Sequence, residues 1–382
     1  MNFDFTEEQL ALESTLQRFL ERDYSFEQRR ALLASAEGHD TRHWTTFAEL
    51  GLLAMPFKDA YGGLDGGPVD TYLVMRSLGR GLVLEPYLSS IVLCGSLVQE
   101  LGTEEQKQEM LGALAAGELK LALAHYEPGA RHDEGRVSCQ AIEDGDGWRL
   151  KGRKAAVLGA PSADQLLVSA RHEGAVDADT GVSVFLIDRN APGVTLKSWT
   201  NHDGTRAADV LLDDVRASAG QLIGVAGAAT PAIRQAIALA NAALAAEACG
   251  IMRALLEATL EYLKTRKQFG VALSSFQALQ HRLADMAIAT EMAESMALRA
   301  AITLQGSDRE QGIRMASGAK AYVAEQARQV AQEAVQLHGG IGVTDELDVA
   351  HYFKRITTIN MMLGDSDYHL RRYARMLAEP EA

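Results

Sequence analysis

This sequence predicts a mainly α-helical fold built around a central β-barrel. Three observations lead there: helical patterning over the first third, short β-branched runs in the middle, and four long Ala-rich helical segments at the end. The boundaries are drawn at 1–118 for an N-terminal α-helical domain, 119–224 for the β-barrel and 225–382 for a C-terminal four-helix bundle.

Thr6-Glu7-Glu8-Gln9 is a capping box, with Gln three residues after the Thr, and it opens a helix of period 3.6. Further helical patterns cover roughly 41–52, 69–80, 87–100 and 104–117. Tyr61-Gly62-Gly63 marks a turn among them, and Ala116-Gly117-Glu118 ends the region.

From about 120 the texture changes. The runs Val137–Ile142, Trp148–Leu150, Gln165–Ala170, Val182–Ile187, Val194–Trp199 and Asp209–Leu212 read as strands. Asp144-Gly145-Asp146-Gly147, Ala191-Pro192-Gly193 and Asp203-Gly204 separate them as turns. Short strands at this spacing give a small barrel or sandwich, whereas a parallel sheet needs long helices between its strands. From about 228, Ala-rich helical segments run 232–265, 276–303, 309–337 and 347–377. Four long helices joined by short loops form an up-and-down bundle. The last few charged residues are expected to fray.

With 382 residues, 47% of them hydrophobic, the chain has enough apolar surface for a large core. A net charge of −14 argues against nucleic acid and anionic membranes, which repel it. Local arginines can still hold a phosphate-rich cofactor. No uncharged apolar run reaches the eighteen or so residues of a membrane span, so no membrane insertion is expected. The N-terminus is acidic from residue 4 and lacks a signal-peptide layout, which points to a mature start and a cytoplasmic protein. Cys94, Cys139 and Cys249 make neither a CxxC pair nor a metal pattern. They read as buried small hydrophobes in a reducing compartment, and no metal is expected.

Two segments carry the chemistry. Arg266-Lys267-Gln268-Phe269-Gly270 sets a cationic and an amide donor beside a flat aromatic, a group able to hold a pyrophosphate and an adenine. Alone, a basic pair closing a helix more often complements the helix dipole. Gln336-Leu337-His338-Gly339-Gly340-Ile341-Gly342 places three glycines in four positions between helices. That lets backbone approach a ligand closely, and N–H groups at a helix start favour anions. No strand precedes it and it is not GxGxxG, which argues against a Rossmann site. Alone, it reads equally as a helix–helix turn.

Taken together, about seventy residues apart, with Phe276-Gln277 and Ala284-Asp285-Met286 between them, these segments resemble the C-terminal signatures of the acyl-CoA dehydrogenase family. The order of domains is also that family's, so the resemblance covers essentially the whole chain. It implies the acyl-CoA dehydrogenase fold, FAD as cofactor and an acyl-CoA thioester as substrate. In the family the first motif reaches across a subunit interface to the neighbour's FAD. The resemblance therefore assigns Arg266, Gln268, Phe269 and the nearby Gln277 to that contact, with Gln336, Gly339 and Gly340 along the same path. His338 is expected to pack beside the FAD.

The segment Tyr126-Glu127-Pro128-Gly129-Ala130-Arg131-His132-Asp133 resembles the family's T-E-P-G-A-G-S-D loop over the flavin, with Tyr126, Arg131 and His132 as departures. His132 reads either as a substrate contact or as an exposed loop residue. Gly152-Arg153-Lys154-Ala155-Ala156-Val157-Leu158-Gly159 resembles G-x-K-x-W-I-T-N. Ala156 replaces the Trp that stacks by the flavin, and Leu158 replaces the Thr that hydrogen-bonds its reactive edge.

The reaction needs a base for the α-proton, hydrogen bonds for the developing enolate and a hydride acceptor. The family's base is usually the Glu of Y-E-G-T-S, and Met362-Leu363-Gly364-Asp365-Ser366 matches it with Leu363 at that position. Some members carry the Glu on the helix before RxxFG, where this chain has Ala240 followed by Asn241. Asp365, Asp367 and Glu247 are the remaining carboxylate candidates. Against that role, Asp365 reads as a helix cap and Glu247 as a partner for an Arg in the bundle. The run Gly364-Asp365-Ser366-Asp367-Tyr368-His369-Leu370 resembles the small subunits of two-component bacterial enzymes, the pimeloyl-CoA and steroid side-chain types.

The expected function is FAD-dependent α,β-dehydrogenation of an acyl-CoA, acting on a CH–CH donor in fatty acid or steroid catabolism. The chain is expected to be the subunit without the catalytic Glu in an α2β2 enzyme. Its partners would be a catalytic subunit of the same family and an electron-transfer flavoprotein as acceptor. Two alternatives stand: a self-sufficient homo-oligomeric flavoenzyme with an unusual base, and a non-catalytic binding or regulatory member of the fold.

Overall fold

The computed structural model describes residues 4–35 and 37–378. The extreme C-terminus expected to fray lies outside them. In chain order the helices are α1 (Glu7–Asp23), α2 (Phe26–Ala34), α3 (Thr41–Glu49), α4 (Pro68–Arg80), α5 (Ser96–Leu101) and α6 (Glu104–Ala115). After the β region come α7 (Thr230–Thr265), α8 (Gln277–Leu304), α9 (Arg309–His338), α10 (Asp348–Met361) and α11 (Ser366–Ala378). The strands of the β region are β1 (Leu121–Ala124), β2 (Gln140–Asp144), β3 (Gly147–Leu158), β4 (Gln165–Arg171), β5 (Val182–Asp188), β6 (Val194–Thr200), β7 (Arg206–Ser218) and β8 (Leu222–Ile223). The family's architecture is therefore present: helices, then a β region, then helices.

The described residues form two compact units. One takes residues up to 34, 68–84 and 241 onward; the other takes 35–67 and 85–240. In the first, α1 starts at Thr6, whose hydroxyl accepts from the Gln9 backbone while the Gln9 side chain caps Thr6 in return. Helices α4 and α7 approach closely because Gly79 and Gly250 have no Cβ: one on Gly79 would strike the Glu247 carbonyl, and one on Gly250 the Arg76 carbonyl. Helix α7 contains a window of mean hydropathy 1.4, long and apolar enough by length and composition to cross a membrane, although charges such as Glu247 interrupt the helix. Within this fold 78% of that window is buried, as suits the central helix of a bundle.

The second unit holds an eight-stranded sheet in the order β6-β7-β3-β2-β4-β5-β8, with β1 running parallel to β4. Strands β3 and β7 form its long antiparallel spine, with register shifts between Leu150 and Gly152 and between Lys154 and Val157. The strands expected at Trp148–Leu150 and Asp209–Leu212 are thus fragments of much longer ones. The strand expected from Val137 starts at Gln140, because the Val137 N–H is drawn off to the Val176 carbonyl.

Two helical expectations are corrected, and one helix was missed. Helix α2 went unseen because charge runs round it, and even its one buried residue is Arg29. The segment at 87–100 opens as a fully buried π-helical stretch, Leu88–Gly95, before α5. The last long helix, expected at 347–377, is two helices. The chain breaks between α10 and α11, where Leu363 and Gly364 take φ of +53° and +115°.

Candidate functional site

Helix α7 runs into a small hairpin, β9 (Lys267–Gln268) paired antiparallel with β10 (Val271–Ala272). Its two turn residues, Phe269 and Gly270, have φ of +53° and +82°, the geometry of a primed two-residue turn. Gly270 adopts it freely, whereas a Phe there is strained, and such strain concentrates at functional positions. Phe269 is 90% exposed and lies edge-to-face with Phe276, centroid to centroid 6.1 Å. Arg266 has no carboxylate partner among the described residues. Gln268 and Gln277, the latter at the start of α8, are also exposed.

Tyr262 stacks on His338 with ring centroids 4.5 Å apart, which joins the end of α7 to the end of α9. The two motifs are therefore neighbours in space. His338 donates from Nδ1 to the Ala334 carbonyl at 2.8 Å, and burial lowers its pKa, so it is a neutral packing residue. Gln336 is exposed beside it. A Cβ added to Gly339 or Gly340 would meet nothing within 4 Å, so both present bare backbone to open space. Gly342 differs: its Cβ would lie 2.7 Å from the Val335 carbonyl, which makes it a packing glycine. An unpaired guanidinium, an exposed aromatic and bare backbone fit the pyrophosphate and adenosine portion of FAD.

In the second unit, the register shift in β3 leaves Ala156 exposed at φ +52°. Asp209 holds this bulge: Oδ1 accepts from the Ala156 N–H at 3.1 Å, and Oδ2 takes Arg153 Nη2 at 2.5 Å. Neither Ala156 nor the half-buried Leu158 has a ring or a donor to offer.

The loop from Tyr126 is anchored by residues to which the sequence reading gave no role. Lys154 is fully buried and donates to Glu127 Oε1 at 2.7 Å, to Ser169 Oγ at 3.0 Å and to the His125 carbonyl at 3.1 Å. Glu127 also accepts from the N–H groups of Ser138 and Cys139 at 2.8 and 2.9 Å. Burial acts to raise the Glu127 pKa, but Lys154 and these donors outweigh it and leave it lowered. His125 is pulled down to about 3 by burial and is neutral. Downstream, Arg131 sits at φ +53° and Tyr126 packs edge-on against His132. The three cysteines are free and buried.

At the α10–α11 break, Leu363 is buried. Lys320 of α9, 1% exposed, donates to the carbonyls of Ile359, Met362 and Gly364 at 2.7, 3.1 and 3.3 Å. Burial pulls its pKa down to about 7, with Asp365 and Glu247 acting in the opposite direction. His369 sits 3.0 Å by Nε2 from the Leu363 carbonyl and donates to it.

Two of the three carboxylate candidates are engaged, and the third is exposed. Asp365 caps α11 through the Tyr368 N–H at 2.7 Å. Asp367 lies on the exposed side of α11, 3.8 Å from Arg371. Both oxygens of Glu247 are taken by Arg355. Ala240 and Asn241 are buried on α7.

The chain matches the acyl-CoA dehydrogenase N-terminal domain over residues 6–118, the middle domain over 122–215 and the C-terminal domain over 230–378. It is 31% identical over 382 residues to the probable acyl-CoA dehydrogenase YngJ of Bacillus subtilis, covering 99% of this chain and 100% of that one. Among solved structures, the ChsE4–ChsE5 complex of Mycobacterium tuberculosis superposes with a TM-score of 0.90 at 27% identity over 100% of both chains. The FAD complex of PigA does so at 0.90 and 27% identity over 99% of both. The chain thus belongs to the acyl-CoA dehydrogenase family of FAD-dependent oxidoreductases.

Proposed function

We propose that this chain is the subunit without the catalytic glutamate in a heteromeric α2β2 acyl-CoA dehydrogenase. The observation that carries the reading is the commitment of the carboxylates: Leu363 stands at the family's glutamate position, Ala240 at the alternative one, and Glu247 and Asp365 are bound to Arg355 and to the start of α11. Neither family position then offers a group to take the α-proton of the thioester, and the remaining candidate, Asp367, points to solvent beside Arg371.

FAD, when bound, supplies the acceptor for the β-hydride. The role of this chain is to bind and orient it. Arg266 would meet the pyrophosphate, Phe269 would offer a face to the adenine, and Gln268, Gln277 and Gln336 would donate amide N–H groups. Gly339 and Gly340 would let backbone approach the phosphates. The isoalloxazine and the base would belong to the partner subunit. Ala156 and Leu158 leave this chain's own ring pocket without stacking or donor groups.

The same proposal takes in an acyl-CoA substrate with a dicarboxylic or ring-bearing acyl group, an electron-transfer flavoprotein as acceptor and a cytoplasmic location. A solved relative that is itself a complex of two differently named chains supports the heteromeric part. The test is to produce the chain together with a family member that carries the glutamate, then read native mass and flavin content. A mixed assembly with one flavin for each pair of chains is expected. A homo-oligomer holding one flavin per chain contradicts the proposal.

A further inference from the structure

We propose that Lys320 is a positioning residue: by donating to the carbonyls on both sides of the α10–α11 break, it fixes the left-handed turn at Leu363 and so the direction in which residue 363 points. A helix end leaves its last carbonyls without partners, and burial makes that costly. Here the carbonyls of Ile359, Met362 and Gly364 all converge on one buried ammonium, and that of Leu363 goes to His369. An ammonium has three N–H donors and three acceptors meet it, so the match is complete.

The turn itself is unfavourable. A leucine at φ +53° is strained, and nothing in its side chain relieves the strain. Gly364, at φ +115°, has the freedom the turn needs but no power to enforce it. Enforcement comes from outside the loop, from α9 through Lys320 and from α11 through His369. Asp365 and Glu247 favour the charged amine, and Glu247 is itself held by Arg355. The mount on which residue 363 is presented is fully hydrogen-bonded, although the residue is a leucine. That position 363 faces the reacting groups rests on the reading above; the fixing of the turn by Lys320 does not.

The experiment is hydrogen exchange by mass spectrometry on the full chain with FAD. The reporters are the amides of Met362, Tyr368 and His369, whose hydrogen bonds lie at the break. Lys320→Met keeps the stem and removes the donors. It is expected to speed exchange there on the order of tenfold and to leave α8 protected. Lys320→Arg, which keeps a charged donor, is expected to restore most of the protection. Unchanged exchange in Lys320→Met, or equal opening in both variants, overturns the proposal. If Lys320→Met does not fold, Leu363→Gly is read instead. It should keep these amides protected, because Lys320 and not the side chain at 363 holds the turn; lost protection there overturns the proposal.

Discussion

The guanidinium of Arg355 takes both carboxylate oxygens of Glu247, with Nε 2.6 Å from one and Nη2 3.0 Å from the other. The pair ties α10 to α7, and both side chains are buried. Removing the carboxylate strands a buried cation, which costs about 3–5 kcal/mol. Glu247→Gln is therefore expected to lower the urea midpoint strongly. The assembled enzyme should keep its turnover wherever the variant folds. A variant of normal stability that abolishes turnover would make Glu247 the base.

Lys320 carries a pH signature. Its folded pKa, about 7, lies below its ordinary 10.5 because the ammonium is buried. Between those values the unfolded chain holds a proton that the folded chain has released, so unfolding free energy rises with pH across this window. Urea titrations of the parent chain and Lys320→Met across that range should show a gap that grows in favour of the parent as pH rises. A flat or shrinking gap contradicts the assignment.

Phe269 separates folding from flavin binding. At 90% exposure its removal should change stability by no more than about 0.5 kcal/mol. A lost aromatic contact with FAD should cost about 1 kcal/mol of affinity. Flavin fluorescence titration of Phe269→Ala in the assembled protein checks this. Unchanged affinity would remove Phe269 from the cofactor site.

Lys154 and Glu127 should behave as one unit. Lys154→Met leaves Glu127 buried without its cation and is expected to cost about 3–5 kcal/mol. Adding Glu127→Gln should recover a large part of that, a coupling read by a double-mutant cycle on melting. Additive losses would mean that the two are independent.

Much of the fold was legible because its signals are local. The capping box at Thr6 gives the start of α1, and Asp308 caps α9 through the Gln311 N–H at 2.9 Å. The glycine turns separate the strands. The break at Leu363 was read through because the apolar pattern continues across it, although Gly364 and the cap residue Asp365 are local signs of it. Its cause is Lys320, some forty residues earlier in the chain. Lys154 and Glu127 were hidden for the same reason: a charge is read as surface unless its partner is known, and these partners meet only in the folded sheet. The two cofactor motifs were found by resemblance. Their adjacency depends on Tyr262 packing on His338, a contact that no spacing in the sequence encodes.

The central claim is that the base lies in another chain. Its most direct test is to mix the purified chain, with FAD added to the solution, anaerobically with a panel of acyl-CoA thioesters and follow the visible absorbance of the flavin. The account predicts no bleaching by the chain alone, and bleaching once a glutamate-bearing partner subunit is assembled with it. Rapid bleaching by the chain alone, lost on replacing one of Asp365, Asp367 or Glu247, would contradict it.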